Sequence, residues 1–258
     1  MCKASYMLED QDSVKSYLHL IRVWLKDTTS LVALSTRTGR VIGAIVARVI
    51  NSEDKADTYD RVQILRGEAL EMVMHLMSAL LNQARVHDYY NCTKIYRVNV
   101  ICVHPSYQQK GLITSLLEAC VQVAVSMQVP VLAGFFTSGA SQSIGHNLGF
   151  EILSEIRYSR WIVDDEIVFD DPGIGNYSAA FMAMRTPTDN ELQEYRRIKQ
   201  HLQKQQRKVK KRRCWVHSDD GWIQKATKEA YSKVYCTFKR QWFCRWTRVW
   251  TKRLNGSL

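Results

Sequence analysis

The sequence predicts an α/β domain, built on a mixed central sheet flanked by helices, with a basic helical C-terminal extension. Segments of helical and strand periodicity alternate up to residue 185, and the strands include both a tight hairpin and strand–helix–strand units. The charge is uneven: residues 187–258 carry 19 of the 36 Lys and Arg but only 6 of the 25 Asp and Glu, and five of the seven Trp. We therefore predict a domain over 1–186 and a tail over 187–258.

The composition favours an intracellular globular protein. A chain of 258 residues with 46% hydrophobic residues can bury one good-sized core beside an appendage. It holds no apolar run of eighteen residues and no apolar signal core at its start, so neither a membrane span nor secretion is expected. The seven cysteines are scattered without a C-x-x-C pair, which favours reduced thiols and a cytoplasmic location. Nothing in the pattern suggests a metal site.

The first half of the domain reads as helix, hairpin and helix. Asp12 and Ser13 are predicted N-caps of a helix whose apolar face is Val14, Tyr17, Leu18, Ile21 and Leu25. Strands over 31–35 and 41–49 form a hairpin with Gly39 in its turn. After a polar loop at 51–60, a single helix is predicted from 62 to 89, with its methionines and His75 as core or edge residues.

The second half reads as alternating strands and helices. Strands are predicted at 94–103, 129–136, 150–158 and 178–185. A helix follows Gly111, and a shorter helix ends at Gly149, which is a typical C-cap. The acidic loop at 164–171 is either a solvated turn or a segment that attracts a cationic amine.

The working centre of the chain is predicted at 98–117, where a β-branched strand runs through a short polar loop into a helix. Such a helix N-terminus presents unpaired backbone N–H groups and a positive dipole end, which together favour phosphate. Neither a P-loop nor a Gly-x-Gly-x-x-Gly motif is present, so an NTPase or a dinucleotide fold has no support.

The loop at 108–113 resembles the pyrophosphate loop of the GNAT superfamily of N-acetyltransferases, Arg/Gln-x-x-Gly-x-Gly/Ala. Gln108 and Gly111 match, whereas Ile113 departs, since the family prefers a small residue there. Two further blocks resemble the insect arylalkylamine N-acetyltransferase branch: 2–4 with 31–33, and Thr137-Ser138 with Ser141 before Leu148-Gly149-Phe150. The resemblance covers about residues 2–185 and implies that family's fold, acetyl-CoA as co-substrate and a small amine as acceptor.

The resemblance also implies the site residues. The backbone of Val103 is expected to bond the pantetheine arm where strands 98–103 and 131–136 splay apart. The pyrophosphate is expected at the loop and first helical turn, formed by Gln108, Gln109, Lys110, Gly111, Leu112, Ile113, Thr114 and Ser115. Lys110 reads either as a charge against phosphate or as a solvated loop lysine.

Candidates for catalysis follow the second strand of this pair. Ser141 stands where the family has a serine near the acetyl group, so it is a candidate acid for the leaving thiolate, or an N-cap of the short helix, or both. Asn147 is a candidate bond to the pantetheine arm or an ordinary surface residue. His104 and His146 read as replacement bases or as loop and helix-surface residues.

One departure concerns the N-terminus. In the family a first strand and helix carry a glutamate proposed as general base, and the sequence as printed starts just inside that segment. Either the sequence is an incomplete or alternative product, or the protein has lost this edge of its site. In neither case do we expect Glu9 or Asp10 to replace the glutamate. Two functions therefore stay open: an N-acetyltransferase of a primary amine, and a catalytically impaired acetyltransferase-like protein that binds through its tail.

The tail is predicted to be helical and basic. Thr188 and Glu191 form a capping box, and a run from Lys208 to Arg213 suits a polyanion contact, nuclear import or a solvated charge run. A later helix with Phe238, Trp242 and Trp246 on one face could contact nucleic acid or an anionic membrane, or pack on the domain. Neither the amine nor the oligomeric state is fixed by the sequence.

Overall fold

A computed structural model describes residues 5–54, 66–188, 190–194, 196–198, 200, 201 and 204 of the protein. The chain divides into two compact units, Met1–Leu192 and Gln193–Leu258. The fold below is that of the first unit. The predicted basic run and Trp-rich helix of the tail lie outside the described residues and stay predictions.

The first unit is built on a six-stranded mixed sheet. Its order is β1-β2-β3-β4-β8-β5, in which only the β3–β4 pair is parallel. A separate two-stranded hairpin is formed by β6 and β7. The strands are β1 (Leu31–Leu34), β2 (Val41–Asn51), β3 (Lys94–Val103), β4 (Val131–Phe136), β5 (Glu151–Arg157), β6 (Ile162–Val163), β7 (Glu166–Ile167) and β8 (Ser178–Arg185).

Helices cover both faces of the sheet. They are α1 (Gln11–Leu25), α2 (Glu68–Ala84), α3 (Val86–Tyr90), α4 (Leu112–Ser126) and α5 (Gly139–Leu148). On one face α1, α2 and α3 pack on a core that includes Leu70, Ile95 and Phe181, which we call the α2-side core. On the other face α4 and α5 pack on a core that includes Tyr96, Leu117 and Met182, which we call the α4-side core. The mixed α/β sheet flanked by helices is as the sequence predicts.

The N-termini of α1 and α2 meet at a shared capping group. The Asp10 carboxylate accepts hydrogen bonds from the backbone N–H of Asp12 and Ser13 in α1, and from that of Ala69 in α2 at 3.4 Å. The fully buried Ser13 hydroxyl donates to Asp10 at 2.6 Å and accepts from the Leu70 N–H at 2.8 Å. One carboxylate thus stabilises the positive ends of two helices.

This arrangement corrects two predictions for α1. The N-cap is Asp10, two or three residues before the predicted Asp12 and Ser13, because its carboxylate reaches both of their backbone N–H groups. The buried face is Ser13, Leu20 and Trp24, whereas Leu18 and Leu25 are exposed. The predicted inner face therefore includes two apolar residues, Leu18 and Leu25, that are exposed to solvent.

The helix predicted over 62–89 is divided and shorter. It begins at Glu68 after Gly67, which has φ 105°, and it ends at Arg85, whose left-handed φ of 40° separates α2 from α3. Residues 55–65 lie outside the described ranges, so the first turns of the prediction are not tested. The buried Met74 and Met77 fit their predicted core role, and His75 is half-exposed beside Glu71.

The predicted acidic loop contains the β6–β7 hairpin. Asp164 and Asp165 form its turn with φ 51° and 64°, the left-handed pair that a two-residue hairpin turn requires and that Asp tolerates. The predicted turn is therefore confirmed, and the attraction of a cationic amine stays a prediction.

Several predicted strand bounds, turns and caps are confirmed within the described residues. The strand bounds at β3 and β8 agree with prediction, Gly39 turns the first hairpin with φ 67°, and Gly149 caps α5. Thr188 and Glu191 form the predicted capping box, in which the Glu191 carboxylate accepts from the Thr188 N–H at 2.8 Å. Cys92, Cys102 and Cys120 are free thiols. No helix in the described ranges is long and apolar enough to span a membrane.

Candidate active site

The sheet opens between its two central strands. Pairing of β3 with β4 ends at Val98 opposite Gly134, while both strands continue. Beyond that point β3 stays paired with β2, and β4 stays paired with β8. Strands β3 and β4 thus form the splayed pair that the sequence predicts at 98–103 and 131–136. A cleft of this kind leaves one strand edge available to an extended ligand.

Close backbone approach marks the last paired point. A Cβ on Gly134 would lie 3.1 Å from both the Cβ and the carbonyl oxygen of Val98, so glycine allows the two strands to meet there. One residue later β3 carries a β-bulge, because Val98 faces Ala47 and Val100 faces Val46, which leaves Asn99 without a partner. The bulge therefore lies at the start of the cleft.

The loop from β3 to α4 begins at the end of that cleft. Val103 is the last residue of β3 and pairs with Gly43. His104 accepts the Ser106 N–H at Nδ1 and so caps a 3-10 turn over Pro105–Tyr107. His104 therefore lies in the loop, as one of its two predictions has it, and its role as a replacement base stays a prediction. In the predicted phosphate loop at 108–113, the residues from Gln108 to Gly111 are exposed.

The N-terminus of α4 is open to a ligand. Its N-cap is Gly111 at φ 74°, which provides no side-chain hydrogen bond. The intrahelical bonds begin at Ser115, whose N–H donates to the Gly111 carbonyl at 3.1 Å. Among the described helices of ten or more residues, Asp10 caps α1, Asp10 and Ser13 bond the first turn of α2, and Ser138 caps α5. The α4 amides of Leu112, Ile113 and Thr114 therefore stay available for an anion.

Lys110 is held at the loop by local contacts. Its ammonium donates to the Ser106 carbonyl at 2.9 Å and lies 4.9 Å from the ring centre of Tyr107. An ammonium has three donors, so this bond still leaves donors for a phosphate oxygen. The side chain is therefore positioned at the loop rather than freely solvated.

Ile113 is larger than the small residue that the family prefers at this position, but its side chain does not lie in the loop. Ile113 packs its side chain against the α4-side core. Gly43 lies under the same turn, and a Cβ there would lie 3.3 Å from the side chains of both Leu112 and Leu116. Glycine on β2 therefore lets the first turn of α4 lie close to the sheet.

Ser141 lies in the first turn of α5, which follows β4 at the open end of the cleft. Its hydroxyl donates to the Ser138 carbonyl at 2.8 Å, and its Oγ accepts from the Ser138 N–H at 3.2 Å. Ser138 is the N-cap and accepts the Ser141 N–H, so the two serines form a reciprocal capping box. The N-cap is thus Ser138, three residues before the predicted Ser141. To protonate a leaving thiolate, the Ser141 hydroxyl would first have to break its hydrogen bond to the Ser138 carbonyl.

Gln142 braces the outer wall of the cleft, a role that the sequence did not indicate. Its side-chain amide donates to the carbonyls of Phe136, at 3.1 Å, and Ser178, at 3.0 Å. The Ser178 hydroxyl in turn donates to Glu155 at 2.6 Å. This chain of bonds ties α5 to the ends of β4, β8 and β5, so the open end of β4 has a fixed position.

Both predicted roles of Asn147, a bond to the pantetheine arm and an ordinary surface residue, stay open. Asn147 is exposed in the last turn of α5, nine residues beyond the Ser138 cap and about 13 Å further along the helix axis. It lines a shallow depression together with His146, Gln142 and Ile152. The remaining predicted residues, from Val103 through Ser115, do lie together along the end of β3 and the start of α4.

Comparison with known proteins agrees with this geometry. The model of the acetyltransferase (GNAT) family matches residues 4–139, more than half of the chain. Among curated proteins, no sequence matches the chain.

Solved structures of insect enzymes share the fold. Arylalkylamine N-acetyltransferase 2 from Aedes aegypti is 19% identical with a TM-score of 0.61, over 66% of this chain and 78% of its own. A putative arylalkylamine N-acetyltransferase 7 from the same mosquito is 21% identical with a TM-score of 0.64, over 72% and 76% of the two chains. A polyamine N-acetyltransferase of Drosophila melanogaster, which forms N-acetylagmatine, is 20% identical with a TM-score of 0.56, over 64% and 79%.

Proposed function

The chain belongs to the acetyltransferase (GNAT) family, and from this premise we propose that it transfers the acetyl group of acetyl-CoA to the primary amine of a small arylalkylamine. The transfer makes it an acyl-CoA-dependent acyltransferase, and the amine nitrogen is the acceptor. The similarity in fold to insect arylalkylamine N-acetyltransferases supports the aromatic amine class.

The observation that carries the proposal is the uncapped N-terminus of α4 at the end of the open β3 edge. A thioester with a long amide-containing arm and a pyrophosphate needs both an edge that can pair with the arm and amides that can hold phosphate. Val103 ends the edge, and beyond the turn at 105–107 the amides of Leu112, Ile113 and Thr114 stand free at the start of α4. The chemistry of these donors therefore fits acetyl-CoA.

The chain's own residues have three tasks in the transfer. The loop at 108–113 binds the pyrophosphate, with Lys110 adding positive charge beside it. The edge of β3 up to Val103 orients the arm so that the thioester, which is the acetyl donor, meets the amine in the cleft. A neutral amine nitrogen attacks the thioester carbon, the carbon–sulfur bond breaks, and Ser141 is the candidate that protonates the departing sulfur.

Calorimetric titration with acetyl-CoA tests cofactor binding directly. In Gly111→Trp the indole would stand at the helix N-terminus, where nothing now lies within 4 Å of a Cβ, and we expect binding to be lost. Gly149→Trp is the matched control, since Gly149 also has positive φ and open space but caps the far end of α5. Equal affinity of the Gly111→Trp variant and the parent would reject the loop as the phosphate site.

An amine panel tests the acceptor class. Release of CoA should be measured with dopamine, serotonin and tryptamine, alongside agmatine and spermidine. Acetylation of the aryl amines is the expected result. A protein that binds acetyl-CoA but acetylates none of the aryl amines would refute the proposed acceptor class.

Two serine variants separate catalysis from capping. Ser138→Ala and Ser141→Ala each remove part of the same capping box and should each lower the free energy of unfolding by about 1 kcal/mol. If Ser141 protonates the thiolate, Ser141→Ala should also lower kcat by about 100-fold, whereas Ser138→Ala should not. Equal kcat values for the two variants would restrict Ser141 to its structural role.

A further inference from the structure

Strand β5 forms one edge of the six-stranded sheet, and its outer side is open. Within the described residues β5 pairs with β8 alone. A β-bulge at 152–154 interrupts this ladder, but from Ser154 to Arg157 the pairing with β8 is regular. An open and regular edge of this kind can accept a further strand.

The main-chain groups of Glu155 and Arg157 point outwards from this edge. The Tyr158 N–H donates to the carbonyl of Tyr177, just before β8, at 3.0 Å. Residues of an antiparallel ladder alternate between those that bond the neighbouring strand and those that do not, so Ile156 is also directed to β8, whereas Glu155 and Arg157 are not. Each of these two residues therefore presents an N–H and a C=O to a strand that lies next to the edge.

The same two residues carry opposite charges on one face of the sheet. Both side chains are exposed, and because they are two residues apart on a strand they point to the same side. The Oε1 of Glu155 accepts the Ser178 hydroxyl at 2.6 Å, which leaves its Oε2 available. Among the described residues neither side chain takes part in an ion pair. The edge thus offers one anion and one cation beside its free main-chain groups.

We propose that β5 pairs antiparallel with β5 of a second copy of this chain, about a two-fold axis at Ile156. In this register Glu155 of each copy lies opposite Arg157 of the other copy. The two residues exchange both main-chain hydrogen bonds, and their side chains form an ion pair on each side of the axis. The same patch serves both copies, as a two-fold dimer requires, and the two sheets become continuous.

The charges select this register. A residue whose main chain points outwards must lie opposite another such residue, so the axis could otherwise pass through Glu155 or through Arg157. Those axes would place two glutamates or two arginines directly opposite each other, which is unfavourable. An axis nearer the start of β5 would meet the bulge at 152–154, where the ladder is irregular.

The ladder is short, which sets its strength. Beyond Arg157 the chain enters the 3-10 turn Tyr158–Arg160 and leaves the strand. Small interfaces are typical of weak association, so we expect a dimer whose dissociation constant is micromolar.

Charge reversal tests the contact. Arg157→Glu gives a strand with two glutamates, and Glu155→Arg gives a strand with two arginines. In sedimentation velocity of the full chain from about 1 to 100 µM, the parent should dimerise, and each variant alone should have its dimer Kd raised by about tenfold or more. An equimolar mixture of the two variants should dimerise again, because each glutamate then lies opposite an arginine.

The control is Arg22→Glu, which makes the same charge reversal on an exposed residue of α1 and should keep the parent's dimer. Arg157→Glu leaves the bond from Ser178 to Glu155 intact, so it decides the matter by itself if Glu155→Arg does not fold. A parent that stays monomeric over this range, single variants that dimerise like the parent, or a mixture of folded variants that stays monomeric would each overturn the proposal. None of these results bears on acetyl transfer, which the amine panel measures separately.

Discussion

Replacement of Gly67 by alanine should destabilise the protein more than any loss of a single hydrogen bond at the α1–α2 junction. A Cβ at Gly67 would lie 2.3 Å from the backbone nitrogen and from the Oγ of Ser13, so the two helix N-termini would have to move apart. The movement would break the 2.8 Å bond from the Leu70 N–H to the Ser13 hydroxyl and leave that N–H buried.

The magnitude follows from two contributions. Holding a non-glycine residue at φ 105° costs about 1–3 kcal/mol, and an unsatisfied buried N–H costs about 1–3 kcal/mol. Together they amount to about 4 kcal/mol, which for a domain of this size lowers Tm by about 10 °C. Ser13→Ala, which loses the bond without the clash, should cost only about 1–3 kcal/mol.

Thermal unfolding followed by far-UV circular dichroism measures the effect. Gly39→Ala is the matched control, because Gly39 also has positive φ, at 67°, but nothing lies within 4 Å of a Cβ there. It should cost about 1 kcal/mol. The reasoning is refuted if Gly67→Ala unfolds at the same temperature as Gly39→Ala, or above Ser13→Ala.

Three further predictions concern charge, thiol access and the cofactor helix. The Ser13 hydroxyl and N–H hold the pKa of Asp10 below its ordinary 3.8, so its stabilising contribution is present above that pH and is lost as pH falls through the lower folded-state pKa. Asp10→Asn should therefore flatten the fall in Tm below about pH 4, and an unchanged acid profile would contradict this. Burial raises the pKa of the Cys120 thiol to about 12, whereas Cys102 is exposed. Native protein treated with a maleimide at pH 8 should be labelled at Cys102 long before Cys120, and similar rates in peptide mass spectrometry would argue against the packing of α4. Gly43→Val should push the first turn of α4 off the sheet and weaken acetyl-CoA binding by about tenfold in calorimetry, the equivalent of about 1.4 kcal/mol, and an unchanged Kd would show that the turn tolerates the added side chain.

The sequence predicts the sheet and the phosphate loop well because their signals are local. A β-branched run, a Gly-containing loop and an apolar helix face are each readable within twenty residues, as at 98–117. The bounds of β3 follow from the same cause. The family resemblance adds the splayed pair formed by strands 98–103 and 131–136, which no local pattern contains.

The predictions that failed depend on distant partners. The true cap of α1 was missed because Asp10 also serves α2, almost sixty residues later in the chain. The single helix over 62–89 is broken by the left-handed Arg85, a residue whose type gives no warning of that conformation.

Two features of the candidate site could have been predicted from a weak signal in the sequence. Gly43 and Gly134 are glycines inside strands, and such residues often mark a close approach by another backbone or helix. The brace by Gln142 and the bulge at Asn99 leave no such trace, since both arise from pairing between strands that are far apart in sequence.

The three-pair parallel ladder between β3 and β4 has a consequence for how the protein assembles. Strands β1 to β3 come from residues 31–103 and strands β4, β5 and β8 from 131–185, so each antiparallel half draws on its own stretch of chain. Short-range pairing forms faster than long-range pairing, so each half should order before the two halves join. The cleft lies at that joint, and α2, which comes from the first stretch, packs on the second half, where its Leu80 carbonyl accepts the Ser154 hydroxyl of β5 at 2.7 Å. Ligand capture and the last step of refolding would then share one surface, and acetyl-CoA should act on the refolding protein as a template that holds the two halves together.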